Sequence, residues 1–160
     1  MRGVCAPVVT VEQQLTKLFQ ALSDGDIDAF LSGCSRSLVL TVWGNDQLST
    51  LVPREAISAW YNGLRGITEG TFRSELLFAL SVGVENVVLM RHRFVVHDEL
   101  RQYDTINHCL LDRGELAAWF VRPSNSQEYA YAWRRSDRGE TTQTSSHAQR
   151  DVAPPVWTNG

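Results

Sequence analysis

The sequence predicts an α+β domain shaped as a cone, with three N-terminal helices packed on a curved antiparallel β-sheet. Three observations lead there. Apolar residues recur at helical spacing through the first part of the chain. From Phe72 to Val121 the chain is a series of long β-forming runs broken by short turns. The chain has 160 residues, 43% of them hydrophobic, which is the size of one ordinary domain with one sizeable core.

Residues 1–9 read as a flexible N-terminal arm. Thr10 caps the first helix, with Gln13 at the capping-box position. Val11, Leu15, Leu18, Phe19 and Leu22 form its buried face. Ser23-Asp24-Gly25-Asp26 ends this helix and starts a second, short one, with Ile27, Phe30 and Leu31 as its apolar side. The spacing Asp24-x-Asp26-x-Asp28 is that of a calcium loop. Ala29 and Ser35, however, stand where such a loop needs Gly and Glu, so these acids read as helix N-terminal charges that favour the dipole. Leu38 to Trp43 is a strand, followed by a loop through Gly44-Asn45-Asp46. Pro53 suits the first turn of a third helix over Arg54–Leu64, with Ile57, Trp60, Tyr61 and Leu64 inward. Sheet follows. In Phe72–Val82 the residues Leu76, Phe78, Leu80 and Val82 share one side. Further strands are Val87–His97, Gln102–Leu111 and Glu115–Val121, with turns at Glu85-Asn86, Asp98-Glu99 and Asp112-Arg113-Gly114. Pro123 to Trp133 closes as a short helix or an irregular strap. The domain thus spans residues 10–135. Residues 136–160, with almost nothing to bury, read as a disordered tail.

A net charge of -3 with scattered single arginines gives no electrostatic footprint for nucleic acid or for an anionic membrane. No apolar run reaches the ~20 residues of a membrane span. Three cysteines, Cys5, Cys34 and Cys109, form no CxxC pair. They read as reduced thiols of a cytoplasmic protein, with Cys34 and Cys109 in the core. No glycine-rich nucleotide motif and no metal cluster is present, so no cofactor and no metal are expected.

Several segments carry a resemblance. Asp24-Gly25-Asp26-Ile27-Asp28-Ala29-Phe30 is similar to the helix 1–helix 2 junction of the ketosteroid isomerase and SnoaL-like polyketide cyclase families. Pro53-Arg54-Glu55-Ala56-Ile57-Ser58-Ala59-Trp60-Tyr61 resembles their third helix, and Asp112-Arg113-Gly114-Glu115-Leu116 their turn into the last strand. The likeness covers roughly residues 10–134 and implies the nuclear transport factor 2-like (NTF2-like) cone. The positions that correspond to the isomerases' catalytic tyrosine, aspartate base and protonated aspartic acid hold Leu18, Val42 and Asn107. A C4-to-C6 proton shuttle needs a base, so ketosteroid isomerase activity is not expected. Ala118-Trp119-Phe120-Val121 likewise lacks the acid of the cyclases' final strand, and Arg91-His92-Arg93 gives no inward Asp-Arg-Asp relay of the epoxide hydrolase type.

Strand parity sorts the remaining side chains. With Asn107 facing the cavity, Tyr103, Thr105 and Cys109 face it too, together with Met90, His92 and Phe94 on the neighbouring strand. Arg91 and Arg93 then face outward. The expected pocket is apolar, walled by Leu18, Leu22, Val42, Trp60, Met90, Phe94 and Trp119, with Tyr61 and Thr105 among its polar groups. His92 is its proton-exchanging group, and Tyr103 and Asn107 are the candidate partners that orient it or bind a substrate oxygen. Together with these residues, the resemblance implies a SnoaL-like, cofactor-free enzyme of the cyclase, isomerase or dehydratase kind, acting on a hydrophobic small molecule such as a polyketide or terpenoid. The alternative is a non-catalytic ligand-binding or assembly module. Ile106, Leu110, Ala118 and Phe120, on the outer face, make the expected surface of a homodimer.

Overall fold

A computed structural model describes residues 8–43, 49–125, 127 and 129. Most of the arm, Cys5, the Gly44-Asn45-Asp46 loop, Trp133 and the 136–160 tail lie outside the described residues. The chain runs α1 (Val11–Ser23), α2 (Ile27–Ser32), β1 (Cys34–Trp43), β2 (Ser49–Pro53), α3 (Arg54–Ile67), β3 (Arg73–Val82), β4 (Glu85–Val96), β5 (Glu99–Asp112) and β6 (Glu115–Pro123). One six-stranded curved sheet takes the order β2-β1-β6-β5-β4-β3.

Two expectations need correction. The three helices do not all precede the sheet, because the β1–β2 hairpin comes before α3. The sheet is also not wholly antiparallel, since β1 pairs with β6 in parallel. A parallel pair needs a long crossover. Here α3 carries the chain to the far edge, and the β3–β6 meander brings it back beside β1. The strand β2 has only five residues, with Leu51 exposed and Val52 buried. Such a short stretch ending in proline gives too little alternation to be read as a strand.

Local chemistry accounts for the helix starts. Thr10 Oγ1 accepts from the Gln13 backbone N–H at 3.2 Å, and Gln13 Oε1 accepts from the Thr10 N–H at 2.9 Å. Asp26 caps α2 through the Ala29 N–H at 3.0 Å. Leu15, Phe19 and Leu22 bury one stripe of α1. Phe19, Phe30 and Trp119 then pack ring against ring, at 5.1–5.6 Å between centroids, which ties both helices to β6. Cys34 and Cys109 are buried, and burial pushes both thiols up to about 12.

The hairpin turns use the left-handed backbone that tight turns demand. His97 and Asp98 have φ of 51° and 62°, and Arg113 and Gly114 have 51° and 82°. The β3–β4 turn lies at Gly83-Val84, two residues before the expected Glu85-Asn86. β4 and β5 pair without interruption from Asn86↔Cys109 to Val96↔Glu99, so their inward and outward faces alternate cleanly. β3 behaves differently. A bulge between Leu76 and Phe78 shifts its parity. Leu76 packs against the core, but Phe78, Leu80 and Val82 are 50%, 47% and 64% exposed, on the opposite side from Leu76. The single expected face of Leu76, Phe78, Leu80 and Val82 is therefore split in two.

Candidate functional site

A small cavity lies between the C-terminal part of α1, the inner side of α3 and the inward residues of β3 to β6. Its volume is about 30 Å³. His92, Tyr103, Thr105 and Asn107 all line it, as do Trp60, Tyr61, Met90 and Trp119. Three expected wall residues do not. Val42 and Phe94 point inward but are spent on core packing, each 1% exposed. Leu18 lines a separate surface groove with Ala21 and Gly33. The reason is helix geometry: Leu15, Phe19 and Leu22 centre the buried stripe, and Leu18 falls at its margin, facing α2. Leu22, one turn on, is the α1 residue that reaches the cavity.

His92 is buried, but its expected partners are not its partners. Nδ1 lies 2.9 Å from Ser74 Oγ, and Nε2 lies 2.9 Å from Thr105 Oγ1. Tyr103 touches the imidazole only ring to ring, at 4.9 Å, and Phe72 stacks on it at 5.5 Å. Asn107 acts one step away, through Thr105. Register explains this. Ser74 sits directly opposite His92 across β3–β4, and Thr105 sits opposite Met90, diagonal to His92.

The direction of the network is fixed at its Trp119 end. The Trp119 indole N–H can only donate, and it meets Asn107 Oδ1 at 2.8 Å. Asn107 Nδ2 therefore faces the carbonyls of Val88 and Thr105, at 3.0 and 3.2 Å, and Thr105 Oγ1 at 3.1 Å. The Thr105 and Ser74 hydroxyls can each donate or accept at His92. The assignment in which Thr105 Oγ1 accepts from Asn107 and gives its own proton to Nε2, while Nδ1–H donates to Ser74, satisfies the whole chain Trp119–Asn107–Thr105–His92–Ser74. Burial pulls the imidazole down to about 4, against a weaker upward pull from the Asp104 carboxylate on the outer face. At neutral pH His92 is a neutral proton acceptor and not a proton donor.

The tyrosines complete the site. Tyr61 donates to the Leu22 carbonyl at 3.1 Å. Burial raises its phenol above the ordinary value. The nearby Ser74 hydroxyl pulls the other way, although it makes no hydrogen bond of ordinary geometry with Tyr61. Tyr103 is raised well above 10 by burial and then by its neighbours Tyr129 and Tyr61. Tyr129, beyond β6, packs edge-on against the Tyr103 ring at 5.7 Å and closes the cavity there. Ser74, Phe72 and Tyr129 were not picked out from the sequence. Ser74 was within reach of it, two residues before the inward Leu76. Phe72, two residues further back, was within reach in the same way, whereas Tyr129 lies beyond the last strand, where strand parity gives no signal. Among the described lining residues none is Arg, Lys, Asp or Glu, so the cavity carries no formal charge.

No protein-family model matches the sequence. No curated protein matches it either. Solved structures do match. Bal32a, from a soil-derived mobile gene cassette, superposes with a TM-score of 0.66 at 17% identity, over 76% of this chain and 95% of its own. IdmH of Streptomyces antibioticus, described as a candidate polyketide cyclase, gives 0.58 at 11% identity over 73% and 94%. An NTF2-like protein of Cytophaga hutchinsonii gives 0.56 at 10% identity over 71% and 99%. The chain therefore has the NTF2-like fold shared with SnoaL-like proteins. At these identities the likeness establishes the fold and not an activity.

Proposed function

We propose that the cone is the site of a cofactor-free enzyme in which the Thr105 hydroxyl takes a proton from a hydrophobic small molecule while passing its own to Nε2 of neutral His92, in the manner of a polyketide or terpenoid cyclase or isomerase. The observation that carries this reading is the hydrogen-bond chain that holds one buried imidazole by both ring nitrogens beside an apolar cavity. Prealignment of this kind removes reorganisation from the proton-transfer step. A base titrating near 4 is weak but sufficient for a proton next to a carbonyl: ketosteroid isomerases use a carboxylate titrating at about 4.6. Dehydration by His92 as an acid is disfavoured, because the imidazole carries no extra proton at neutral pH. Tyr103 and Thr105 are the nearest groups to position a substrate, and Trp60, Tyr61, Met90 and Trp119 supply the walls. Likeness of fold to IdmH supports the substrate class. Homodimerisation through the outer sheet face and a cytoplasmic location belong to the same reading.

The test is deuterium incorporation into an enolisable aromatic ketone such as a tetralone, in D₂O at pH 7. The wild type should accelerate exchange over buffer, and His92→Asn should lose a factor of about 10²–10⁴ while remaining folded. Exchange at the buffer rate would dismiss this role. A second reading, a non-catalytic binding or assembly cone, is favoured by two observations: the cavity volume of about 30 Å³ and the engagement of both imidazole nitrogens. It predicts ligand binding without exchange, and a stability loss in His92→Asn.

A further inference from the structure

We propose that Ser74 is a second catalytic residue, the far end of a proton relay Thr105–His92–Ser74 that takes a proton from the substrate at one hydroxyl and delivers another to it at the other. The inference rests on the reading of Thr105 and His92 as the proton-taking pair, and it adds where the displaced proton goes.

Both ends of the relay line the cavity. Ser74 comes from β3 and Thr105 from β5, so the imidazole of β4 lies between hydroxyls supplied by the strands on either side of it. Each hydroxyl is 2.9 Å from one ring nitrogen. A hydroxyl has one hydrogen and two lone pairs. In the assignment that satisfies the chain, Thr105 gives its hydrogen to Nε2 and accepts one from Asn107, which leaves a lone pair for a substrate proton. Ser74 accepts the Nδ1 hydrogen and keeps its own. That hydrogen meets no acceptor at ordinary hydrogen-bond geometry among the described residues. Tyr61, whose own hydrogen goes to the Leu22 carbonyl, has open lone pairs close enough to attract it. The Ser74 hydrogen is thus loosely held on the cavity side of the imidazole, and a substrate oxygen is a competing acceptor for it.

A relay also removes the cost of charging the ring. Burial, which pulls the imidazole down to about 4, opposes a full imidazolium. Here Nε2 gains a proton as Nδ1 loses one, and the ring passes from one neutral tautomer to the other. The span of the relay selects the substrate class. Its two ends are separated by an imidazole and two hydrogen bonds of 2.9 Å, too far for an α carbon and its own carbonyl oxygen. A conjugated ketone places an acidic γ C–H and the oxygen further apart. In the step, the γ C–H pair becomes a C=C bond, the existing C=C bond moves one place toward the carbonyl, and the C=O π pair takes the Ser74 hydrogen. Thr105 receives the proton from carbon, Nε2 receives that of Thr105, and Ser74 receives that of Nδ1. Ketone becomes dienol with nothing added or lost, and the reverse pass restores both the ketone and the tautomer. An α proton engages the Thr105 end alone.

The test uses 3-methylcyclohex-2-enone, which carries γ protons and, on the other side of the carbonyl, α′ protons. Deuterium uptake at each position is followed by NMR in D₂O at pH 7. Ser74→Ala should lower γ exchange by about 10²-fold or more, and the ratio of γ to α′ exchange by about tenfold or more. Ser74→Thr, which keeps the hydroxyl, should restore the ratio. An unchanged ratio in Ser74→Ala would refute the relay and leave the Thr105–His92 reading in place. No acceleration at either position in the wild type would end that reading and the relay with it. A second measurement needs the wild type alone. Nitrogen NMR should find His92 as the Nδ1–H tautomer with the enone bound. It should find the Nε2–H tautomer with 3-methylphenol, whose hydroxyl stands in for the dienol and donates to Ser74. One tautomer under both ligands would overturn the relay even if Ser74→Ala failed to fold.

Discussion

A histidine in water takes a proton near pH 6.5, whereas His92 does so at about 4, because its ring lies between Phe72 and Tyr103 and cannot be solvated as a cation. The sign of the resulting pH dependence is fixed. Between about pH 4 and 6.5 the unfolded chain binds a proton that the folded chain does not, so stability falls as pH drops through that window. The full effect is on the order of 3 kcal/mol. Asp104, held below its ordinary value by the hydrogen bond from Arg91, acts at lower pH and does not blur the window. Unfolding midpoints measured from pH 7 to 4 should decline in the wild type and flatten in His92→Gln, whose amide keeps a donor and an acceptor. An NMR titration should find His92 as the Nδ1–H tautomer down to its midpoint. An Nε2–H tautomer, or a midpoint near 6.5, would show that the direction assigned to the Trp119–Asn107–Thr105 chain is wrong.

At the scale of elements, the α1–α2 junction shows how little local chemistry the frame needs. Gly25 takes φ 78° where the chain reverses, and Asp26 then caps α2. Asp26→Ala should destabilise the protein by about 1 kcal/mol, because an Ala29 N–H loses its acceptor. Asp24, whose carboxylate accepts, among the described residues, from the exposed Gln20 amide alone, should matter by less than about 0.5 kcal/mol. Calcium should leave the melting temperature unchanged, and a rise on adding it would contradict the capping account. The strands were legible to different depths. β4 and β5 alternate over their whole paired length, so counting by twos from Asn107 reached His92 and Tyr103 correctly. In β3 the same counting failed after Leu76, because one bulged residue inverts every side chain beyond it.

For the molecule as a whole, that inversion enlarges the outer face. Phe78 is paired with Leu89 and Leu80 with Val87, while Leu89 is in turn paired with Ile106 and Leu110 with Ala118. Exposed Phe78, Leu80 and Val82 thus join Leu110, also exposed, on the surface expected for a homodimer. Toward the strand ends where His92 lies, the same face carries ion pairs, Arg91–Asp104 at 2.9 Å and Arg93–Glu75 at 3.1 Å. A two-fold contact would bury the apolar part and leave the charged part as a rim. Light scattering at micromolar concentration should give twice the chain mass, and Leu110→Asp with Phe78→Asp should give a monomer that still folds. A monomeric wild type would end the dimer proposal.

The sequence by itself determined the class of fold, the helix starts, and which residues of β4, β5 and β6 face inward. Each of these is written in a few consecutive residues: a cap, a 3.6-residue stripe, or a two-residue alternation. Only the tertiary structure decided what those inward residues touch. Ser74 and Thr105, rather than Tyr103 and Asn107, hold His92, because hydrogen bonding depends on the register between strands and each strand knows only its own parity. Leu18 left the site by the 100° that separates neighbouring helix positions. The size of the cavity was decided in the same way. Phe72 and Tyr129, which narrow it beside His92 and Tyr103, come from segments that flank the sheet, and only the packed chain brings them there.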